Sequence, residues 1–145
     1  MLGFSSYKEP VFYQQCKKII QDIMSESGSF YFYRPVDPVK DGAPDYYSII
    51  DKPMSFFDIQ EKLDKKLYKT PNEFINDVRT IWRNAKLYNS PEHTIYKIAN
   101  DLSKKFEVLS GSLPREITEG DKLSKLQLYV ELRTHRYLLS KESHQ

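Results

Sequence analysis

The sequence predicts an all-α protein: an antiparallel four-helix bundle arranged around one long ordered loop. Three observations carry this expectation. Apolar residues recur at helical spacing in four separate segments, and no segment sustains the period-2 alternation of a strand. Cap and breaker residues stand at the ends of those segments. The connections after the long loop are short, which sets successive helices antiparallel.

The first helix is expected over residues 8–26. There Phe12, Cys16, Ile19, Ile20, Ile23 and Met24 recur at helical spacing, and Ser27, Gly28 and Ser29 stop the chain. Residues 27–55 form the long connection. Pro35, Pro38, Pro44 and Pro53 exclude a long helix, because each lacks an N–H and disfavours helix in the residue before it. A loop of that length in a compact domain is usually functional or disordered. Phe30, Tyr31, Phe32, Tyr33, Val36, Val39, Tyr46, Tyr47, Ile49, Ile50 and Met54 make it too apolar for disorder and argue that it packs.

The next helix starts at Ser55, an N-cap residue, with Asp58 at the third helical position facing the positive end of the dipole. Phe56, Ile59 and Leu63 give it one apolar face. Thr70-Pro71-Asn72-Glu73 then combines a Thr N-cap, Pro at the first helical position and Glu at the third, which is a capping box. Phe74, Val78, Ile81, Trp82 and Ala85 form the stripe that follows, and Trp82 reads as core. Asn89-Ser90-Pro91 breaks this helix. The last bundle helix restarts from Ser90-Pro91 and runs through Ile95, Ile98, Ala99, Leu102, Phe106 and Leu109 to Gly111 and Pro114.

Bulk properties narrow the function. The 145 residues suggest one main domain with room for a core. Lys and Arg number 22 against 20 Asp and Glu, which gives no basis for strong or sequence-specific nucleic-acid binding. One cysteine, Cys16, rules out an internal disulfide framework, favours an intracellular location and reads as a buried core residue. No run of about 18 apolar residues exists to span a membrane, and the N-terminus lacks the order of a signal peptide. Eleven tyrosines suit a binding groove, and equally the edge of a core.

Enzyme classes find little support. His93, His135 and His144 include no pair at metal-ligand spacing, so neither a metal nor a cofactor is expected. No nucleophile elbow, P-loop or dinucleotide-binding glycine motif is present. Acid pairs such as Asp37 with Asp41, or Asp41 with Asp45, are ordinary on a charged loop. The informative feature is a grouping of aromatics and amides: Pro44-Asp45-Tyr46-Tyr47 in the loop and Asn84-Ala85-Lys86-Leu87-Tyr88-Asn89 at a helix end. Taken alone, Asn89 reads as a cap or turn residue and Tyr46 as a core-edge tyrosine.

In order along the chain, Pro35-Val36-Asp37-Pro38, Pro44-Asp45-Tyr46-Tyr47-Ser48-Ile49-Ile50 and Lys52-Pro53-Met54 resemble the ZA loop of bromodomains. Ile59 with Lys62-Leu63, Tyr68, Phe74 with Asp77-Val78, Asn84-Ala85 and Tyr88-Asn89 continue the likeness over roughly residues 10–110. The resemblance implies a left-handed bundle with helices in the order Z, A, B, C, and a non-enzymatic module that binds acetylated lysine. It implies Asn89 as donor to the acetyl oxygen and Tyr46 as the phenol that reaches the same oxygen through a water. Val36, Tyr88 and Phe32 match the walls of the cleft, and Ile95 matches the gatekeeper beside its opening. The physics agrees: acetylation leaves a neutral secondary amide on an aliphatic stem, which needs an apolar cleft and a fixed uncharged donor. A free ammonium in such a cleft would lose its water without gaining an acceptor.

The sequence departs from the family in two places that matter. Where many members carry Trp-Pro-Phe, Phe30-Tyr31-Phe32 stands, so the aromatic at Phe32 is kept and the shelf beside the cleft is altered. Asp41 and Gly42 occupy positions often apolar in the family, which is expected to make the rim more acidic and more mobile. Over residues 30–55, Arg34, Lys40 and Lys52 face Asp37, Asp41, Asp45 and Asp51, one negative charge in excess. Such a rim suits a Lys/Arg-rich acetylated partner, such as a histone tail.

The expected organisation is a bromodomain over residues 8–112 and a helical extension over residues 115–145. In that extension Leu123, Leu126, Val130 and Tyr137 fall on one helical face, with Leu128, Leu132 and Leu139 nearly opposite. One face could cover the bundle and the other a partner or second copy. Alternatively the segment packs only on its own bundle, or frays. The functional expectation is a nuclear reader of acetylated histone or other acetylated protein, within a larger chromatin or transcription protein. The alternative is a helical association module whose pocket has degenerated.

Overall fold

The computed structural model describes residues 10–114 and 129–138. Chain contacts divide it into two units, Met1–Arg115 and Glu116–Gln145. The first unit contains five α-helices among the described residues: α1 (Val11–Met24), α2 (Tyr46–Ile49), α3 (Phe56–Asp64), α4 (Pro71–Tyr88) and α5 (Thr94–Ser110). A 3-10 turn, Ser29–Phe32, follows α1. No strand occurs among the described residues. The four long helices make the bundle: α4 lies along α5, α1 packs on α3, α4 and α5, and α3 packs on α4. The all-α bundle that the apolar periodicity predicts is the fold observed.

The bundle closes on one apolar core. Tyr13 and Ile20 from α1, Phe56 and Leu63 from α3, Phe74 and Val78 from α4, and Leu102 and Phe106 from α5 are all essentially without solvent contact. Cys16 is fully buried among them, and burial pushes its thiol up to about 12, so it is a neutral apolar group. Trp82 is core as expected, edge-on to Phe32 and Phe56.

Two helix starts are built as their sequences dictate. Ser55 Oγ accepts from the Asp58 N–H at 3.3 Å while Asp58 Oδ2 accepts from the Ser55 N–H at 2.9 Å. Thr70 Oγ1 accepts from the Glu73 N–H at 3.3 Å while Glu73 Oε1 accepts from the Thr70 N–H at 3.0 Å. Each box satisfies donors that a helix start otherwise leaves unpaired.

The start of α5 differs from expectation. Ser90-Pro91 does not begin it; the residues Ser90–His93 close a turn of their own, with the His93 N–H on Ser90 O at 2.9 Å. Ser at the first and Pro at the second position of a turn is as favourable as the same pair at a helix start. The helix then begins at Thr94, capped by His93, whose Nδ1 accepts from the Ile95 N–H at 3.1 Å. Beside the first turns of α5, Gly28 has φ of +83°, which favours glycine, and a Cβ there would lie 2.9 Å from Ile98 Cδ1.

The long loop is ordered, but only part of its apolar content packs. Phe32, Ala43, Tyr46 and Ile50 are buried, and Tyr33, Val36 and Met54 are half-buried. Phe30, Tyr31, Val39, Tyr47 and Ile49 are exposed, which corrects the expectation that the whole set packs. The 3-10 turn explains part of this: it directs Phe32 inward and leaves Phe30 and Tyr31 outside, stacked on each other at 4.2 Å between ring centroids. The far end of the loop is tied down by charge. Asp77, whose side chain is only 4% exposed, receives Lys62 Nζ at 2.8 Å and the Tyr68 hydroxyl at 2.6 Å, with Lys52 Nζ 3.5 Å away. Asn84 Nδ2 donates to Lys52 O at 2.7 Å. A polar cleft of about 270 Å³ opens beside this group, lined by Lys52, Lys62, Tyr68, Asn76 and Asp77.

In the second unit, residues 129–138 are helical. Tyr129, Val130, Leu132, Tyr137 and Leu138 are exposed, and the Arg133 guanidinium lies 5.7 Å from the centre of the Tyr129 ring. Leu123, Leu126, Leu128 and Leu139 lie outside the described residues.

Candidate functional site

A second, smaller apolar cluster forms where the long loop meets the C-terminal end of α4. Ala43, Tyr46 and Ile50 are its buried members, with Val36 and Tyr88 packed against them. It is separate from the bundle core. Local bonds shape the loop to build it. Asp37 Oδ1 accepts from the N–H groups of Val39 and Lys40 at 3.0 and 3.1 Å, and Asp41 Oδ2 accepts from the Asp37 N–H at 2.8 Å. Gly42 takes φ of +65°, which lets the chain turn back so that the Ala43 N–H reaches Pro38 O at 2.9 Å. Asp41 closes this turn, because its short carboxylate reaches the Asp37 N–H four residues back.

α2 follows at once and places Tyr46 inward, with Ile50 four residues later beside it. The Tyr46 ring meets Tyr88 at 5.0 Å and 61°, and Tyr47 at 5.3 Å and 86°. These tilted arrangements set ring edges against ring faces, the favoured aromatic geometry. The Tyr47 hydroxyl donates to Val36 O at 2.6 Å and so holds the strand of loop that carries Val36. The Tyr88 hydroxyl donates to Asp45 Oδ1 at 2.6 Å.

Asn89 is the C-cap of α4 and leaves the helix in an extended conformation. Its Nδ2 donates to Ala85 O at 2.9 Å, and its backbone N–H reaches the same oxygen at 3.1 Å. An amide nitrogen carries two N–H donors, and this bond uses one of them while fixing the plane of the group. The phenols are held neutral. Burial, then the neighbouring Tyr47 and Tyr88, raises the pKa of Tyr46, and the bond to Asp45 raises that of Tyr88.

The structure therefore brings Val36, Tyr46 and Tyr88 into one cluster, with Asn89 the next residue after Tyr88. Phe32 and Ile95 are placed differently. Phe32 sits in the bundle core, its ring 5.5 Å from Trp82 and 6.3 Å from Phe56. Ile95, in the first turn of α5, is half-buried against that same core. Sequence reasoning missed Ala43, Ile50 and Asp45 as members of the site. Ile50 could have been found from its i, i+4 spacing to Tyr46. Asp45 could not, since its partner is 43 residues away.

This arrangement pairs apolar surface with a fixed uncharged amide and two neutral phenols. It can hold a neutral polar group on an apolar stem. Among the described residues, no group of three or more His, Cys, Asp or Glu is placed to hold a metal ion.

The bromodomain family model matches residues 16–101. Transcription factor GTE11 of Arabidopsis thaliana is 41% identical over 95 residues, 66% of this chain and 15% of that protein. Transcription factor GTE9 of the same plant is 35% identical over 105 residues, 72% of this chain and 15% of that protein. An ankyrin repeat, bromo and BTB domain-containing protein of Dictyostelium discoideum is 38% identical over 92 residues, 63% of this chain and 11% of that protein. The chain thus spans about a sixth or less of the length of these relatives. A four-helix bundle with a packed loop, an amide at the end of α4 and a family match over most of the bundle lead to one assignment: this chain belongs to the bromodomain family.

Proposed function

We propose that the chain reads acetylated lysine, on histone tails or another acetylated protein, as a non-enzymatic module of chromatin or transcription. The observation that carries this reading is the placement of the Asn89 amide at the end of α4, one residue beyond the Tyr46–Val36–Tyr88 cluster. The acetyl carbonyl accepts the second Nδ2 N–H of Asn89, and the Tyr46 hydroxyl reaches the same oxygen through one water. The lysine stem lies on Val36 and Tyr88. Ile95 borders the opening, and Phe32 supports the cleft from the core side. An unmodified lysine is disfavoured because its ammonium carries donors only and would lose water against the Asn89 N–H, also a donor, while Asp45 Oδ1 is taken by the Tyr88 hydroxyl.

Asp37 and Asp41 accept backbone N–H groups and stand at the rim, where acidic side chains favour a Lys/Arg-rich partner. A nuclear location follows from this role, and two relatives are named transcription factors. No cofactor is needed.

The test is titration of singly and multiply acetylated histone-tail peptides against the chain and its Asn89→Ala variant. Binding that the folded variant loses supports the reading. Failure of the parent chain to bind any acetylated peptide would sink it. That result would favour the association module, with the exposed Tyr129, Val130 and Leu132 on the 129–138 helix as the surface to probe.

A further inference from the structure

We propose that Asp45 and Tyr88 form a strut that sets the distance between the two groups reading the acyl oxygen, Tyr46 and Asn89. The inference rests on the reader function proposed above and names a determinant of its ligand specificity. It starts from a misplaced cap. Asp45 is the N-cap residue of α2, a position where Asp ordinarily accepts from its own helix, yet it makes no side-chain cap bond there. Its carboxylate instead accepts the Tyr88 hydroxyl at 2.6 Å, in the short range of a charge-assisted bond. The sequence neighbours give that bond its meaning. Asp45 immediately precedes Tyr46, and Tyr88 immediately precedes Asn89. One bond therefore joins the two backbone segments that carry the recognition groups, and the Tyr46 and Tyr88 rings touch at 5.0 Å beside it.

The strut braces a part of the loop that is otherwise lightly held. The tie from Asn84 to Lys52 O lies at the loop's far end, and the bonds that join Asp37 to Asp41, Ala43 to Pro38 and Tyr47 to Val36 are internal to the loop. Reading one oxygen with a direct N–H and a water-bridged phenol demands a fixed gap between Asn89 and Tyr46. A gap braced at one width fits a methyl group and excludes longer acyl chains by overpacking. Asp45 and Tyr88 act here as positioning residues, through Tyr46 and Asn89.

The experiment compares peptides bearing acetyl-, propionyl- or butyryl-lysine, titrated against the chain and its Tyr88→Phe, Asp45→Asn and doubly substituted forms. Tyr88→Phe keeps the ring and removes only the hydroxyl. Each single variant should weaken acetyl-lysine about tenfold and butyryl-lysine by less, so the preference for acetyl narrows at least about threefold. The double variant should bind about as well as either single one, because both remove the same bond. In the ligand-free variants the amides of residues 43–50 should exchange faster while those of α1 and α5 are unchanged. Equal loss for all acyl lengths, additive single effects or unaltered exchange at 43–50 would overturn the strut. If the parent chain binds no acylated peptide, the reader function and the strut fall together. If it binds, and Asn89→Ala abolishes binding while Tyr88→Phe changes nothing, only the strut falls.

Discussion

The bundle core and the loop cluster are both apolar, yet they are held together in different ways. The core is continuous across four helices, and its largest fully buried members, Tyr13, Phe56, Phe74 and Phe106, are shut off from water by their neighbours. The loop cluster has three buried residues, Ala43, Tyr46 and Ile50, and depends on polar ties from Tyr47, Asp37, Asp41 and Tyr88 to keep its shape. A core of the first kind tolerates loss of one hydrogen bond and suffers from loss of volume. A cluster of the second kind responds to single bonds, which is what a site that must admit a ligand requires.

The largest effect should come from the core. Phe74→Ala removes a fully buried ring from the contact between α4, Tyr68 and Phe106. It should lower global stability by about 3–5 kcal/mol, read by urea unfolding. Ile50→Ala removes volume from the loop cluster instead. It should lower global stability by about 2 kcal/mol at most, while weakening acetyl-peptide binding more than its stability loss accounts for. If both variants cost the same stability and Ile50→Ala leaves binding intact, the division between the two regions is wrong.

Next in size is the joint between them. Asp77 takes Lys62 and Tyr68 on one oxygen, and Lys52, at the end of the loop, lies 3.5 Å from the other. Asp77→Ala would leave the Tyr68 hydroxyl and the Lys62 ammonium without this acceptor. The expected loss is about 2 kcal/mol, the scale for leaving the buried Tyr68 hydroxyl unpaired, since Lys62 and Lys52 both reach solvent. Thermal unfolding measures it, and a shift no larger than that of a surface substitution would show that the joint is only superficial. Smaller again is Thr70→Ala, which opens the capping box of α4 and should cost about 1 kcal/mol in the same assay.

How far sequence reasoning reached follows the same division. Helix starts at Ser55 and Thr70 were legible because each is decided within four residues, by a hydroxyl and a carboxylate that find each other locally. The start of α5 was misread because Ser90-Pro91 satisfies a turn and a helix start equally well, and only the His93 contact to Ile95 separates them. In the site, Tyr46 and Tyr88 pack in one cluster, while Phe32 lies in the core with Trp82, a placement that its position in the motif does not reveal. The bond from Tyr88 to Asp45 left no trace in either local pattern, since each residue alone has an ordinary reason to be where it is.

The smallest effect within the neutral range concerns pH, and it separates the regions beyond that range. Burial raises the pKa of Tyr46 above its usual 10.0, and the bond to Asp45 does the same for Tyr88. A raised tyrosine pKa means that folding favours the neutral phenol. Its contribution is fully present below pH 10 and is lost as pH climbs through the higher folded value. Cys16 and Tyr68 follow the same rule in the core, where burial is the main cause and the thiol reaches about 12. Peptide affinity should therefore stay level between about pH 7 and pH 9. Above that range an ionised Tyr88 would face the Asp45 carboxylate with its donor gone, so affinity and protection of the 43–50 amides should fall together. The bundle, whose core is continuous over four helices, should hold its helical circular dichroism past the point where binding is lost, although Cys16 and Tyr68 draw down its stability as pH climbs through their raised values. Titrating affinity and circular dichroism on one sample tests this order; coincident loss would mean that the loop cluster is no weaker than the core beneath it.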